Sequence, residues 1–560
     1  MPRIGIFIDT LQGSIPASFR EKISDYIKKL PGIAFCFEEE NLTSSDALDR
    51  MEKRLETGGI DGIVIVGGSP KLYETSFQKF ILPLPFNPYL FAVANIREQA
   101  LWMMLDEETA LERAKTIISK TIRTVSNSKA IDVQSLPLKP EVLVLGGGVT
   151  GISIAQELAK AGIHVFLVEK EAHLGGRAEV KKWMGEKIFE VKKNPQITLF
   201  TQTELKRFEG HLGRFQAKIE GPDRTEIPLS ISAIVVATGY AMRREKKGIY
   251  GHKRVVGLPE MEKLLSETTS SPLLWNGKKI EMVTYFLDEI NEDIKLDSIN
   301  AIKQSLVLQE HFKGQVAILC KDVKVAADGM ERLYRKAREK GVLFFKYEEP
   351  PKLSIVNGQI QVDVKDTSAI QKKEQWPVSI LSDLVVVSDA FVPTPETESL
   401  SSLLKIHLGN QGFLMEDNPQ LLRVRSNRRG IFIAGACRFP QEVSESLVEA
   451  RAVAQEVMAL LLKGTYTYDL AVAEVDPKKC AVCYTCPRLC PHSAITVEKY
   501  GDRNVYITSG TGGETKWGAA KVDPASCYGC GICVAECPAK AITLQHLTDA
   551  QIYAQMNLIE

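Results

Sequence analysis

Residues 141–170 read EVLVLGGGVTGISIAQELAKAGIHVFLVEK. A branched apolar run, a glycine turn, a helical stretch and a second apolar run follow in order, which predicts strand, turn, helix and strand. Gly146, Gly148 and Gly151 stand in the turn as G-x-G-x-x-G. In such a unit the first glycine permits a tight turn and the second lets a pyrophosphate approach the backbone. The third lets helix and strand pack closely, and the helix N-terminus faces the phosphates. Glu169 ends the second strand, positioned for ribose hydroxyls. A glycine triplet alone is weak evidence, because glycine turns are common. The strand–helix context and the acid together favour dinucleotide binding over a plain structural turn.

The totals set limits around this unit. A chain of 560 residues exceeds what one core supports, so three or four domains are expected. Its 44% hydrophobic and 25% charged residues are those of an ordinary globular protein. Lys+Arg 70 balances Asp+Glu 70, which removes the electrostatic case for nucleic acid or an anionic membrane surface as main partner. Such a near-zero charge resists association poorly and suits a component of a hetero-oligomer. No apolar run reaches the roughly 18 residues of a membrane span. The start, MPRIGIFIDTLQG, lacks the basic region, apolar stretch and cleavage site of a secretory signal. A cytoplasmic protein without direct membrane insertion is expected.

Along the chain, RIGIFID and IDGIVIVGGSP read as buried parallel strands with helical stretches between them. They mark an N-terminal α/β docking domain over residues 1–125, followed by a polar, proline-containing linker over 126–139. A dinucleotide-binding domain then runs over 140–270. Residues 271–395 form a domain inserted into it, and 396–463 return to it with RGIFIAGACRFP and a long helix. Residues 464–560 form the last domain.

Eight of the 11 cysteines lie between Cys480 and Cys537, in CAVCYTCPRLCPHSAI and CYGCGICVAECPAKAI. Clustering of this kind indicates metal ligation in a reducing compartment, not a disulfide framework. The spacing is C-x2-C-x2-C-x3-C-P, twice. Structural zinc also uses Cys-x2-Cys pairs, but not this triplet with a distant C-P, so iron–sulfur is the reading. The remaining Cys36, Cys320 and Cys437 are read as small buried hydrophobes, and His492 as a surface residue of its turn. Over about residues 472–548 the pattern resembles the bacterial two-cluster ferredoxin, an α+β fold. That resemblance implies crossed ligation, in which the fourth cysteine of each motif serves the other cluster. One [4Fe–4S] cluster then takes Cys480, Cys483, Cys486 and Cys537, and the other Cys527, Cys530, Cys533 and Cys490.

Three further elements resemble the two-dinucleotide-domain, thioredoxin-reductase-like flavoproteins. EKEAHLGGRA after the acid resembles their glycine loop beside the flavin, ATGY (Ala237–Tyr240) their second turn, and GIFIAGACRFP their late motif near the ribityl chain and ring. The resemblance implies FAD. It implies cofactor-binding residues at Gly146, Gly148, Val149, Thr150, Gly151, Glu169, Lys170, Gly176, Arg177, Leu205, Ala237, Thr238, Gly239, Gly435 and Ala436. Ala436 stands where many relatives carry Asp, which removes their carboxylate–ribityl hydrogen bond. The inserted domain begins GKKIEMVTYFLDEINED, a strand with no glycine turn. A second dinucleotide would meet side chains there, so a nicotinamide cofactor is not the expected donor.

With these domains in this order the whole chain resembles the flavin-bearing A subunit of heterodisulfide reductase. NPYLFAVANIREQALW (Asn87–Trp102) looks like a signature of that protein family. The chain departs from the family at its additional cysteines. Asp9 and Leu11 take the places of an early C-H-C-G, and Ser44, Gly68 and Ala100 those of other cysteines. KLDSINAIK stands where relatives carry a cysteine-rich stretch. Soft thiolates are needed for a cubane, so the additional clusters should be missing. The resemblance implies an electron-transfer subunit relaying between FAD, two clusters and partner redox proteins, with no side chain acting as catalytic acid or base. The implied partners are heterodisulfide-reductase-like subunits and a low-potential ferredoxin or a hydrogenase or dehydrogenase subunit. In full-length relatives the flavin splits an electron pair between two acceptors; here a plain relay is the simpler expectation. The alternative is a stand-alone NAD(P)H-dependent flavoprotein reductase of the glutamate synthase small-subunit type, against which the missing second glycine turn argues.

Overall fold

The glycine turn forms as its residues dictate: strand Glu141–Leu145, helix Val149–Lys160 and strand His164–Val168, with Gly148 as the N-cap. They lie in a computed structural model that describes residues 2–73, 86–176, 182–244, 248–268, 271–287, 295–368, 376–499, 507–508, 515–516, 518–545 and 547–556. The chain divides into two compact units, Met1–Leu138 with Thr465–Glu560, and Lys139–Gly464.

In the unit Lys139–Gly464, five parallel strands are ordered Ile431–Ile433, Ala233–Val236, Glu141–Leu145, His164–Val168 and Ile197–Phe200. Their β-branched side chains are buried on both faces, as a helix-covered parallel sheet requires. An antiparallel sheet of Glu204–Glu209, Phe215–Glu220 and Glu226–Ile231 packs into the same core through Phe208, Phe215 and Ile219. A second sheet repeats the plan, with parallel strands Val255–Gly257, Leu384–Val387, Met282–Phe286, Gln315–Cys320 and Leu343–Lys346. Two strands, Ala241–Arg243 and Ala390–Val392, pair antiparallel where the chain passes between the two halves. The fold is therefore the two-dinucleotide-domain α/β architecture.

The crossing corrects the expected boundary at 270/271. Val255–Gly257 pairs with Leu384–Val387, and Val256, Leu258 and Met261 belong to the second core. A three-residue edge strand is too short to show periodicity, so sequence alone leaves it with the first half.

In the other unit, four parallel strands are ordered Ile33–Glu39, Ile4–Asp9, Gly62–Gly67 and Phe91–Asn95. Helix Glu107–Ser126 starts at Asp106, whose carboxylate accepts the Thr109 N–H at 2.8 Å, with Glu107 and Glu108 favourably placed in the first turn. It buries Ala110, Ala114, Ile118 and Ile122 at four-residue spacing. Each isoleucine so buried contributes about 1.5–3 kcal/mol. The expected linker 126–139 is not all linker: Val133–Pro137 pairs antiparallel with Thr465–Asp469. That pairing joins segments more than 300 positions apart, which local reading does not detect.

The cysteine-rich segment folds as a two-fold repeat in which each position stands 47 residues before its counterpart. Ala473–Val475 pairs with Ile542–Leu544, and Ile495–Lys499 with Gly518–Val522. Among the described residues no helix is long and apolar enough to cross a membrane.

Candidate functional site

At the carboxyl end of Glu141–Leu145 the chain turns sharply. The Gly146 N–H bonds to the Val168 carbonyl and the Ala237 N–H to the Leu145 carbonyl, both at 2.8 Å, binding three strand ends together. Gly146 has φ +105°, and a Cβ on it would lie 2.3 Å from the Ala237 oxygen. A Cβ on Gly151 would lie 1.8 Å from the Gly146 oxygen. Neither position accepts any other residue. A Cβ on Gly148, by contrast, would meet nothing within 4 Å, so the helix N-terminus is open on that side. That open face is where an anion gains most from the unpaired N–H groups and the helix dipole.

Glu169 is buried, and both of its oxygens are engaged by backbone. Oε2 accepts the Gly147 N–H at 2.6 Å and Oε1 the Glu171 N–H at 2.9 Å. A carboxylate has about four acceptor positions, so it retains capacity for the ribose hydroxyls expected of it. Gly175 donates to the Gly147 carbonyl at 2.8 Å, and a Cβ on Gly176 would stand 3.6 Å from the Gly148 Cα. The glycine loop thus lies against the turn; Arg177 falls outside the described residues. Thr150 opens the helix beside Val149, and a Cβ on Gly435 (φ +73°) would lie 2.4 Å from the Thr150 hydroxyl. Ala436 follows within the short turn Gly435–Cys437. Thr238 Oγ1, next to Ala237 and Gly239, is buried without a hydrogen-bond partner among the described residues.

The glycines, Thr150, Glu169, Ala237–Gly239 and Gly435–Ala436 therefore lie together at the carboxyl ends of parallel strands. This is where an open α/β sheet binds ligands. Two expected residues do not join them. Lys170 Nζ pairs with Glu396 Oε1 at 3.0 Å with both side chains substantially exposed, and Leu205 packs in the core beneath the antiparallel sheet. The orphaned Thr238 hydroxyl, the open Gly148 face and the spare Glu169 acceptors suit a dinucleotide such as FAD. Sequence reading missed Glu416, Arg438 and Glu449. Glu449 Oε2 accepts the Gly435 N–H at 2.9 Å, and Arg438 lies between the two carboxylates. An arginine directly after the glycine-containing motif was the available signal.

Phe286 and Leu287 are buried at the corresponding strand end of the second sheet, with the Leu287 carbonyl accepting the Tyr347 hydroxyl at 2.7 Å. Residues 288–294, where a glycine turn would sit, lie outside the described residues.

In the cysteine-rich segment the backbone is shaped around sulfur. Val482 and Gly529 N–H groups approach the Cys480 and Cys527 sulfurs at 3.5 Å. Ala494 and Ala541 approach Cys490 and Cys537 at 3.3 Å. Positive φ recurs in step at Val482 and Gly529, Tyr484 and Gly531, Ser493 and Lys540. Burial, and then the neighbouring thiols of Cys480, Cys483 and Cys537, push the Cys486 thiol up to about 11. Burial, with Cys527, Cys490, Cys530 and Cys486 facing it, pushes Cys533 to about 12. A cavity is lined by Cys490 together with Cys527, Cys530 and Cys533. Cys537 thus lies near Cys486, and Cys490 near Cys533, as crossed sets would require, with Cys486 also close to Cys533. Four cysteines lining one cavity in this spacing suit the corners of a cubane.

His492 is half-buried, its ring stacked on Tyr528 with centroids 3.9 Å apart beside that cavity, so it is more than a surface turn residue. Cys437 is buried, bonded to the Val236 and Ala434 carbonyls, and its thiol is pushed up to about 11 by burial. A thiol so held is a poor nucleophile.

The four positions at which additional cysteines were expected to be replaced serve the fold. Asp9 accepts the Tyr73 hydroxyl at 2.8 Å, and Ser44 caps helix Ser45–Gly58. The Gly68 N–H donates to Tyr73, and Ala100 is fully buried.

Two family models match: pyridine nucleotide-disulphide oxidoreductase over residues 108–255 and the 4Fe-4S dicluster domain over 473–541. The second iron-sulfur A subunit of the CoB–CoM heterodisulfide reductase of Methanopyrus kandleri is 25% identical, over 89% of this chain and 92% of that protein. A protein of Archaeoglobus profundus, described as like the heterodisulfide reductase A subunit, is also 25% identical, over 90% and 92%. The A subunit of the H(2):CoB-CoM heterodisulfide,ferredoxin reductase of Methanothermobacter marburgensis is 24% identical, over 90% and 92%. Among solved structures, thioredoxin reductase of Lactococcus lactis matches 58% of this chain and 99% of its own at 18% identity, with a TM-score of 0.39. The chain is an oxidoreductase component whose cofactors are FAD and two [4Fe–4S] clusters.

Proposed function

We propose that this iron–sulfur flavoprotein, similar to the heterodisulfide reductase A subunit, is the electron-transfer component of a hetero-oligomeric redox complex. It relays electrons between FAD, its two [4Fe–4S] clusters and partner proteins. Bound FAD exchanges electron pairs and each cluster single electrons. The protein's part is to hold and screen these groups. The open Gly148 face receives the pyrophosphate, Glu169 holds the ribose, and the eight cysteines bind the clusters in crossed sets. The observation that carries the reading is a glycine turn with an open helix N-terminus together with a twin cysteine fold in one chain.

The partners inferred are heterodisulfide-reductase-like subunits on one side and a low-potential ferredoxin, or a hydrogenase or dehydrogenase subunit, on the other. Eight cysteines clustered in metal-binding spacing support a cytoplasmic, reducing setting. Splitting of the electron pair between two partners is the finer form of the same reading.

A second reading, the stand-alone NAD(P)H-dependent reductase, draws on the second five-stranded sheet, which has the form of a nicotinamide-type domain. Anaerobic mixing of the purified protein with NADH or NADPH separates the two. No flavin bleaching without partners is expected; prompt bleaching would favour the reductase.

A further inference from the structure

Arg438 is a buried cation that the protein satisfies only in part. Its side chain is 6% exposed; Nη2 lies 3.3 Å from Glu416 Oε1, and Nη1 is bonded to Glu449 Oε1. Its Nε is buried with no hydrogen-bond partner among the described residues. A charged group's donor left unmatched in the interior is unfavourable, so such an atom points to a missing acceptor.

The turn that carries Arg438 points to that acceptor. Arg438 follows the turn Gly435–Cys437, and Gly435 packs against Thr150 at the N-terminus of helix Val149–Lys160. Glu449 ties the two together: its Oε2 accepts the Gly435 N–H at 2.9 Å and the Gln441 amide at 3.0 Å. Ala436, inside this turn, has no polar side chain to offer. Through Gly435 and Thr150 this turn adjoins the dinucleotide turn already described.

We propose that Arg438 is a cofactor-contacting residue of the flavin site, its unmatched Nε–H donating to an acceptor of bound FAD. Glu416 and Glu449 are positioning residues that hold the guanidinium from two sides. Two carboxylates outweigh one cation, so Arg438 acts as a rigid, directed donor more than as a net positive charge. A donor aimed at the cofactor binds the electron-rich reduced form more tightly than the oxidised one. Losing it therefore lowers the potential as well as the affinity. A side chain that merely tied Glu416 to Glu449 would do neither. This assignment rests on FAD being the cofactor.

The test uses the full-length anaerobic protein. Arg438→Lys keeps a cation between the carboxylates but has no Nε–H; Glu416→Gln loosens the clamp without touching Arg438. The readouts are the FAD dissociation constant after deflavination and re-addition, the midpoint potential of the flavin couple, and iron content as control for the other unit. Arg438→Lys is expected to bind FAD about tenfold more weakly and to have a lower flavin potential, with iron unchanged. Glu416→Gln is expected to move both in the same direction by less. FAD affinity within twofold and an unchanged potential in Arg438→Lys would overturn the assignment. A wild-type chain that takes up no FAD would overturn the cofactor reading and the assignment with it.

Discussion

A Cβ added to Gly151 would lie 1.8 Å from the carbonyl oxygen of Gly146, whereas one added to Gly148 would touch no protein atom within 4 Å. The two glycines therefore serve different ends. Gly151 is needed by the fold and Gly148 by what the fold binds. Gly151→Ala should destabilise the unit Lys139–Gly464 by about 3 kcal/mol or more, because backbone cannot yield to backbone. Gly148→Ala should fold normally and bind FAD about tenfold or more weakly, its methyl occupying the pyrophosphate's approach. Thermal unfolding and flavin content measured on the same samples check both.

Cluster ligation is tested by pairs of cysteine substitutions. Cys480→Ala and Cys537→Ala should each lower iron from about eight to about four atoms per chain. Combining them should leave about four, since both then strip the same cluster. Cys480→Ala with Cys490→Ala should leave almost none. The reverse pattern of the two doubles would mean uncrossed ligation.

The two clusters should differ in potential. Cys483 Sγ is hydrogen-bonded to Thr485 Oγ1 at 3.3 Å, and this contact holds the thiol below its usual range. The counterpart of Thr485, 47 positions on, is Ile532, and those of Lys479 and Arg488 are Ser526 and Ala535. Hydrogen bonds and positive charge near the sulfurs raise a cluster's potential. The cluster of Cys480, Cys483, Cys486 and Cys537 should be the higher. Thr485→Val should lower it by about 20–60 mV, the one-electron equivalent of one hydrogen bond, without moving the other. Redox titration followed by EPR reads both.

Asp9 is fully buried, and burial raises its pKa above the ordinary 3.8 despite hydrogen bonds from Leu11 and Tyr73. A folded-state pKa above the unfolded value means that the fold binds the proton more tightly. The stability Asp9 contributes is complete below 3.8 and is lost as pH rises through the raised value. Asp9→Asn removes the charge and keeps a side chain able to meet Leu11 and Tyr73. Its unfolding midpoint should exceed that of wild type at pH 7, and the difference should vanish below about pH 4. A wild-type advantage at pH 7 would contradict this.

What the sequence disclosed was local. The turn Gly146–Gly151 and both cysteine loops are set by residues within a dozen positions, so spacing alone reveals them. The strand Val133–Pro137 was hidden because its partner Thr465–Asp469 lies at the far end of the chain. The clamp of Glu416, Arg438 and Glu449 forms only when a loop, a strand end and a helix meet. The depth of the repeat was masked for another reason. Val482 and Tyr484 take positive φ where the second loop uses Gly529 and Gly531, so the shared backbone does not appear as shared glycine. Lys170 shows the converse, since a place directly after Glu169 did not bring its side chain to the dinucleotide turn but to Glu396.

The central claim, that one chain carries electrons between a flavin and two four-iron clusters, is tested most directly by an anaerobic reductive titration with EPR of the purified holoprotein. About four electrons per chain are expected, two for the flavin and one for each cluster, with the signal of two neighbouring reduced clusters. Uptake of about two electrons without an iron–sulfur signal, or zinc in place of iron, would contradict it.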